Sequence, residues 1–261
     1  MALKPLPSGH AANIPILPCS LRRFLLLRSD NKSYGGVTLS DIIDSMRFWA
    51  RVENVLIVVS DMVDCKSHIV AGGFARNLNI GEYQQENSIW ESKILSLMSP
   101  EEQEEKYIAE LRFFHYLRHL PKSKKSEYYL ISKLRFRFVD GDIHDVLHRM
   151  YYIFDENGEN VRYAICIYGA LPFEFKGKSF AVNSITGIKE ELSASGNVSI
   201  LSRRECQVLE MIDLGMKSAE IAGQLNISIH TVSRHRQEII GKLQVRNTHE
   251  ACRIAKSMGL L

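Results

Sequence analysis

The sequence is short of the devices that most secreted proteins and enzymes carry. Its five cysteines, Cys19, Cys65, Cys166, Cys206 and Cys252, are odd in number, widely spread and never arranged as Cys-x-x-Cys. This argues against a disulfide framework or a zinc site and for thiols in a reducing compartment. No apolar run approaches the roughly 20 residues that cross a bilayer; Val55 to Val59 is the longest aliphatic stretch of weight. The first residues lack the basic-then-apolar order of a secretory signal. A cytoplasmic protein without a membrane partner is expected. Neither Gly-x-Ser-x-Gly, nor a phosphate-binding glycine loop, nor His-Glu-x-x-His occurs, so no nucleophile, phosphate cradle or metalloprotease pair is supplied. Neither enzymatic activity nor a cofactor is expected.

Smaller constellations read the same way. His115 and His119 are four residues apart, a spacing that suits a metal, but no third ligand accompanies them. His144 and His148 share a strand face with Val146 and Met150. All four read as core or surface histidines. Lys122, Lys124 and Lys125 read as a solvated basic loop.

What is present divides into two parts. The 261 residues allow two small domains. From Val198 to Leu261 there are nine Lys/Arg against six Asp/Glu, while the preceding residues balance at 24 each, so the net charge of +3 sits wholly on the C-terminal end. Basic charge confined to one domain points to an anionic partner.

Residues 1–40 are punctuated by Pro5, Pro7, Pro15, Pro18 and Gly35-Gly36 and read as an extended or poorly ordered arm, with a short strand or helix at Leu21 to Leu27. Residues 41–172 form the first domain. A helix is expected at Leu39 to Val52, capped by Ser40, followed by strands at Val55 to Ser60 and Cys65 to Ala71. Ser99, Pro100 and Glu102 start a helix reaching about His119, with Tyr107, Leu111, Phe114 and Leu117 on one face. Tyr128 to Val139 alternates, with Leu130, Leu134, Phe136 and Phe138 opposite Lys133, Arg135 and Arg137. Asp140-Gly141 and Asn157-Gly158 then turn the chain into strands at Ile143 to Phe154 and Val161 to Tyr168. Residues 173–199 read as a linker with a helical turn or two at Ile185 to Leu192.

Residues 200–261 read as four short helices. Ser202 and Glu205 make a capping box, Gly215 ends the first helix, and Ser218 caps the second. Asn226 tolerates a left-handed turn, and Ser228 caps a third helix with Val232, Ile239 and Leu243 as its apolar stripe. Two helices joined by so short a turn make a helix-turn-helix.

Leu201 to Glu205, Val208, Leu209, Gly215, Glu220 to Ala222, Leu225, Ser228, Thr231, Val232, His235, Lys242, Leu243, Glu250 and Ala251 fall in one continuous register. With these residues the segment resembles the DNA-binding domain of LuxR-type transcription factors, also the output module of NarL-type response regulators. It departs from the family at Asn226, where glycine is usual, and carries Gly241 inside the third helix at a cost of about 1 kcal/mol. Two strands, a helical middle and a three-stranded meander resemble a PAS-type sensor domain over about Arg47 to Ala170. The fold class expected is therefore α+β: an N-terminal PAS-like antiparallel sheet with flanking helices, plus a C-terminal all-α four-helix domain.

The resemblance implies that Ser233, Arg234 and Gln237 read bases, and their chemistry agrees, since arginine grips guanine and glutamine grips adenine. It places Thr231, His235, Arg236 and Lys242 against phosphate, and Ala251, Ile254, Ala255 and Met258 of the last helix at a subunit interface. Double-stranded DNA and a second copy are the expected partners, with RNA polymerase a further candidate. A small-molecule ligand of the first domain is allowed by the PAS resemblance but supported by no motif; a cavity lined by Leu130, Leu134, Phe136 and Phe138 competes with a closed core. A degenerate receiver domain, an adaptor that has lost DNA binding and a sigma-like polymerase subunit stand as alternatives.

Overall fold

A computed structural model describes residues 38–192 and 200–261. The expected arm, except for its last three residues, lies outside the described residues, as does the end of the expected linker.

The described residues open with α1 (Leu39–Val52), whose cap is Thr38 rather than Ser40: the Thr38 hydroxyl accepts from the Asp41 amide, and Asp41 accepts from the Thr38 amide at 2.8 Å. Then come β1 (Leu56–Asp61), β2 (Lys66–Ala71), a 3-10 turn at Gly73–Asn77, β3 (Gln85–Glu86), and α2 (Ser92–Leu95). The long helix α3 (Pro100–Arg118) follows, capped by Ser99. A 3-10 turn at Lys122–Glu127 leads into β4 (Tyr128–Arg137), β5 (Ile143–Phe154) and β6 (Val161–Ala170).

The expected linker does not begin at residue 173. Ser179–Asn183 forms β7 and Lys189–Glu191 forms β8. β7 pairs with β4, and β8 with β7. The hairpin is joined by Asn183, whose side-chain oxygen accepts from the amides of Ile185 and Thr186, so the expected helical turn is an Asn-anchored β-turn. The sheet order is β3-β2-β1-β6-β5-β4-β7-β8, and every pairing among the described residues is antiparallel. A receiver domain needs a parallel sheet, so that alternative falls.

Both faces of the sheet are covered. One carries Leu56, Val58, Leu130, Leu134, Phe136 and Val146 into a core with Ala109, Phe113 and Leu117 of α3. The other carries Ile57, Val59 and Ile165 against Ile42 and Ala50 of α1. β1 is buried along its whole length, which is why its sequence is an aliphatic run rather than an alternation. Gly72 lets the chain pass under α1: a Cβ there would meet the carbonyl oxygens of Ala50 and Val55 at 1.9 and 2.4 Å.

The C-terminal domain is α4 (Arg203–Asp213), α5 (Ser218–Leu225), α6 (Ile229–Lys242) and α7 (Thr248–Ser257) around Val208, Leu209, Ile221, Val232, Ile239, Leu243 and Ala251. Ile108 and Leu111 of α3 belong to that same core. α3 is therefore apolar on two sides, not one, and stands between the sheet and the helical domain.

Candidate nucleic-acid interface

Each helix of the C-terminal domain is positioned by its cap. The Ser202 hydroxyl accepts from the Glu205 amide at 3.3 Å while the Glu205 carboxylate accepts from the Ser202 amide at 2.6 Å. The cap of α5 lies one residue earlier than expected: it is Lys217, and Glu220 accepts its amide at 2.6 Å. Ser218 does not cap the helix because it is already the first helical residue. Asn226 adopts the left-handed conformation with φ 51°, turning the chain so that Ser228 can accept from the Thr231 amide at 3.0 Å and open α6.

With Val232, Ile239 and Leu243 fully buried, the opposite side of α6 faces outward. It presents Ser233, Arg234 and Gln237, all exposed. The structure thus brings the three expected base readers onto one open face. Sequence reasoning passed over Glu238 on that helix. Its carboxylate lies 3.4 Å from the Arg234 guanidinium and 3.3 Å from His235 Nδ1. An i,i+4 spacing between arginine and glutamate was the available signal.

The four expected phosphate contacts divide. Thr231 and His235 lie half-buried along the rim of the open face, with the Thr231 hydroxyl 2.9 Å from that of Ser228. Arg236 and Lys242 are instead engaged inside the domain. Arg236 donates to the hydroxyls of Ser218 at 3.0 Å and Thr248 at 3.2 Å, tying α5, α6 and α7 together. Lys242 donates to Glu205 at 2.7 Å. Glu205 is almost wholly buried, so its charge needs a partner. Burial pushes this carboxyl up, but the hydrogen bonds from Lys242 and Ser202 outweigh it and hold the pKa below the ordinary value of 4.5.

The end of α6 is held by the first domain. The Tyr107 hydroxyl donates to the carbonyls of Leu243 at 2.7 Å and Gln244 at 3.1 Å. His115 Nε2 lies 2.9 Å from the Lys242 carbonyl, an acceptor that only N–H can match. These are carbonyls that a helix C-terminus leaves without an intrahelical donor. Arg112 donates to the Met258 carbonyl at 3.2 Å, and Glu104 pairs with Arg253 and accepts from Ser257. Burial lowers the His115 pKa, with Arg118, His119 and Lys242 adding to the shift and the bond to the Lys242 carbonyl opposing it.

The expected subunit interface is corrected by the packing of α7. Ala251, Ile254, Ala255 and Met258 are all at least 98% buried, within the core that α7 shares with α4, α6 and α3. Small and apolar residues at helical spacing serve an internal seam as well as an external one, so the spacing alone does not choose between them.

The expected cavity wall is corrected too. Leu130, Leu134 and Phe136 are packed shut in the core. A cavity of about 500 Å³ lies instead between the sheet, α3 and the turn joining α6 to α7, where Met150, Tyr152 and Cys166 face Lys106, Glu110, Gln244 and Arg253. Among the described residues, no helix is long and apolar enough to cross a membrane.

Residues 199–255 match the family model for bacterial regulatory proteins of the luxR family. The chain thus carries a LuxR-family helix-turn-helix domain at its C-terminus. The transcriptional regulatory protein RcsB of Escherichia coli is 38% identical over 73 residues, 28% of this chain and 34% of that protein. The transcriptional regulatory protein TdiR of Thauera aromatica is 36% identical over 76 residues, 26% of this chain and 34% of that protein. The chain therefore spans about a third of the length of these curated relatives. A VqmA–ligand–DNA complex from Vibrio cholerae covers 84% of this chain and 88% of its own at 14% identity, with a TM-score of 0.31.

Proposed function

We propose that this chain, with its LuxR-family helix-turn-helix domain, is a cytoplasmic, sequence-specific DNA-binding transcriptional regulator, and that its sheet domain controls the output. The observation that carries the reading is the open face of α6: Ser233, Arg234 and Gln237 stand outward on the second helix of a helix-turn-helix whose other side is locked into the core. A major groove admits such a helix, and these are side chains that bond base edges. Thr231 and His235 on the rim, with the exposed Lys217 and Arg246 at the starts of the flanking helices, serve the phosphates, which set register rather than sequence preference.

Control acts through α3. Its Tyr107 and His115 grip the end of α6 while its apolar side covers α7. That docking leaves the base-reading face open. The sheet domain thus acts on how the end of the reading helix is held rather than on access to bases.

The reading is tested by titrating salt against DNA binding by the full chain. Each phosphate neutralised releases counterion, giving a log–log slope of about −0.9 per contact. A steep loss between low and physiological salt is expected. A flat titration overturns the phosphate-tracking surface and favours a protein-binding adaptor.

A further inference from the structure

Behind the cavity lies a cluster that the DNA-binding reading leaves unused. His148 on β5 is fully buried. Its Nδ1 is 3.0 Å from the hydroxyl of Ser132 on β4, its directly opposite neighbour in the sheet. Its Nε2 makes no hydrogen bond among the described residues. A buried ring nitrogen without a partner is costly. That nitrogen points 3.7 Å from the Glu110 carboxylate of α3. Cys166 on β6 joins them: its sulfur, the His148 nitrogen and a Glu110 oxygen all lie within 4.8 Å of one another.

We propose that Glu110, His148 and Cys166 form a binding site for a zinc-like divalent cation. Zinc bonds sulfur at about 2.3 Å and nitrogen or oxygen at about 2.0–2.2 Å, so two ligands on one tetrahedral ion sit roughly 3–4 Å apart. The Glu110–His148 pair is already at that separation, and small side-chain rotations bring in the sulfur. Ser132 supplies what a metal-bound imidazole needs, a hydrogen bond on the far nitrogen that fixes the ring and leaves Nε2 to the metal.

Charge favours the ion. Lys106 lies 2.6 Å from Glu110 and 3.9 Å from Glu91, so one positive charge faces two formal negative ones. Binding breaks the Cys166 S–H bond, forms a sulfur–zinc bond and releases the proton to solvent through the cavity. No electron is transferred. The ion's two positive charges and the thiolate's one negative charge then bring the cluster to neutrality. Three protein ligands leave one position open. Glu110 and Cys166 both line the 500 Å³ cavity, so that position faces space for a water or a small donor ligand. The ion would also staple α3 to the sheet, on the helix that grips α6. The site stands independently of the DNA-binding reading.

The test is cobalt(II) titration of the full chain, reduced and stripped with a chelator. One equivalent should bind with a thiolate-to-cobalt charge-transfer absorption and the strong visible bands of a tetrahedral ion, and zinc should displace it. Cys166→Ser should abolish the charge-transfer band, His148→Gln should weaken binding, and Ser132→Ala should weaken it by about 10–100-fold. Cys206→Ser and Cys252→Ser should change nothing. X-ray absorption on zinc-loaded wild type should give one sulfur among lighter ligands, a readout that does not depend on any variant folding. A wild type that takes up no stoichiometric cobalt, a band that survives Cys166→Ser, or a shell without sulfur overturns the site.

Discussion

Arg234 and Glu238 set the chemistry of the reading face between them. The guanidinium is 66% exposed and held at 3.4 Å by a carboxylate one turn on. An exposed pair of this kind contributes about 0–1 kcal/mol to stability, so its loss costs the fold little, while it takes a negative charge off the face proposed to meet DNA. Glu238→Gln is expected to tighten binding to all sequences several-fold at low salt, with the gain shrinking as salt rises, in a fluorescence anisotropy titration. Lys242→Ala should behave differently. It strips the buried Glu205 carboxylate of its cation, and should lower the stability of the helical domain by about 1–2 kcal/mol, discounted for the partial exposure of the lysine. A thermal melt checks this. The sign with pH follows from Glu205: its folded pKa is depressed, so the stability it supplies is present above the unfolded value of about 4.5 and is lost as pH falls through the lower folded value. Denaturant melts below pH 5 should show wild type converging on Lys242→Ala. The exposure of Arg234 and Gln237 on one face of α6 was legible because helical register suffices. The engagement of Lys242 was not, because the capping box and the lysine that completes it are 37 residues apart.

Most elements were legible where local chemistry decides them. Ser99-Pro100, the Ser202–Glu205 box and the Asp140-Gly141 turn each fix a boundary through bonds within four residues. The hairpin of β7 and β8 was hidden because short strands among Gly, Ser and Asn read as loop, and their pairing with β4 is a long-range event. The two-sided character of α3 was hidden for the same reason: Ile108 and Leu111 find their partners beyond residue 199. At this scale the grip of α3 on α6 is testable. Tyr107→Phe leaves the Leu243 and Gln244 carbonyls without their donor and should weaken docking by about 1–2 kcal/mol. Hydrogen exchange should then speed up in residues 240–246 while β4 to β6 stay protected. His115 adds a pH dependence. Its pKa in the docked state is depressed, chiefly by burial, so the undocked state binds more protons and docking is lost as pH falls below the ordinary value of 6.5. The same exchange measurement at pH 5.5 and 7.5 should show the difference, and His115→Gln should flatten it.

At the scale of the whole molecule, one helix couples two domains. A base-reading helix alone covers too few base pairs to choose a site, so proteins of this kind bind as pairs on half-sites about one helical turn apart. Here Ala251, Ile254, Ala255 and Met258 of α7 belong to the internal core, so a second copy would pair through another surface. Breaking the Glu104–Arg253 contact with Glu104→Ala should loosen the docking and speed hydrogen exchange in α7; unchanged exchange would remove this contact from the docking.

The central claim is that the open face of α6 reads sequence, and binding selection on randomised duplexes, wild type against Arg234→Ala, addresses it most directly. Wild type should enrich a repeated half-site. Arg234→Ala should relax one guanine position in each half and lose roughly 1–3 kcal/mol per half-site there, with a much smaller loss on random DNA. An identical preferred sequence with uniformly weaker binding would make Arg234 a phosphate anchor, and no enriched sequence from wild type would contradict the account.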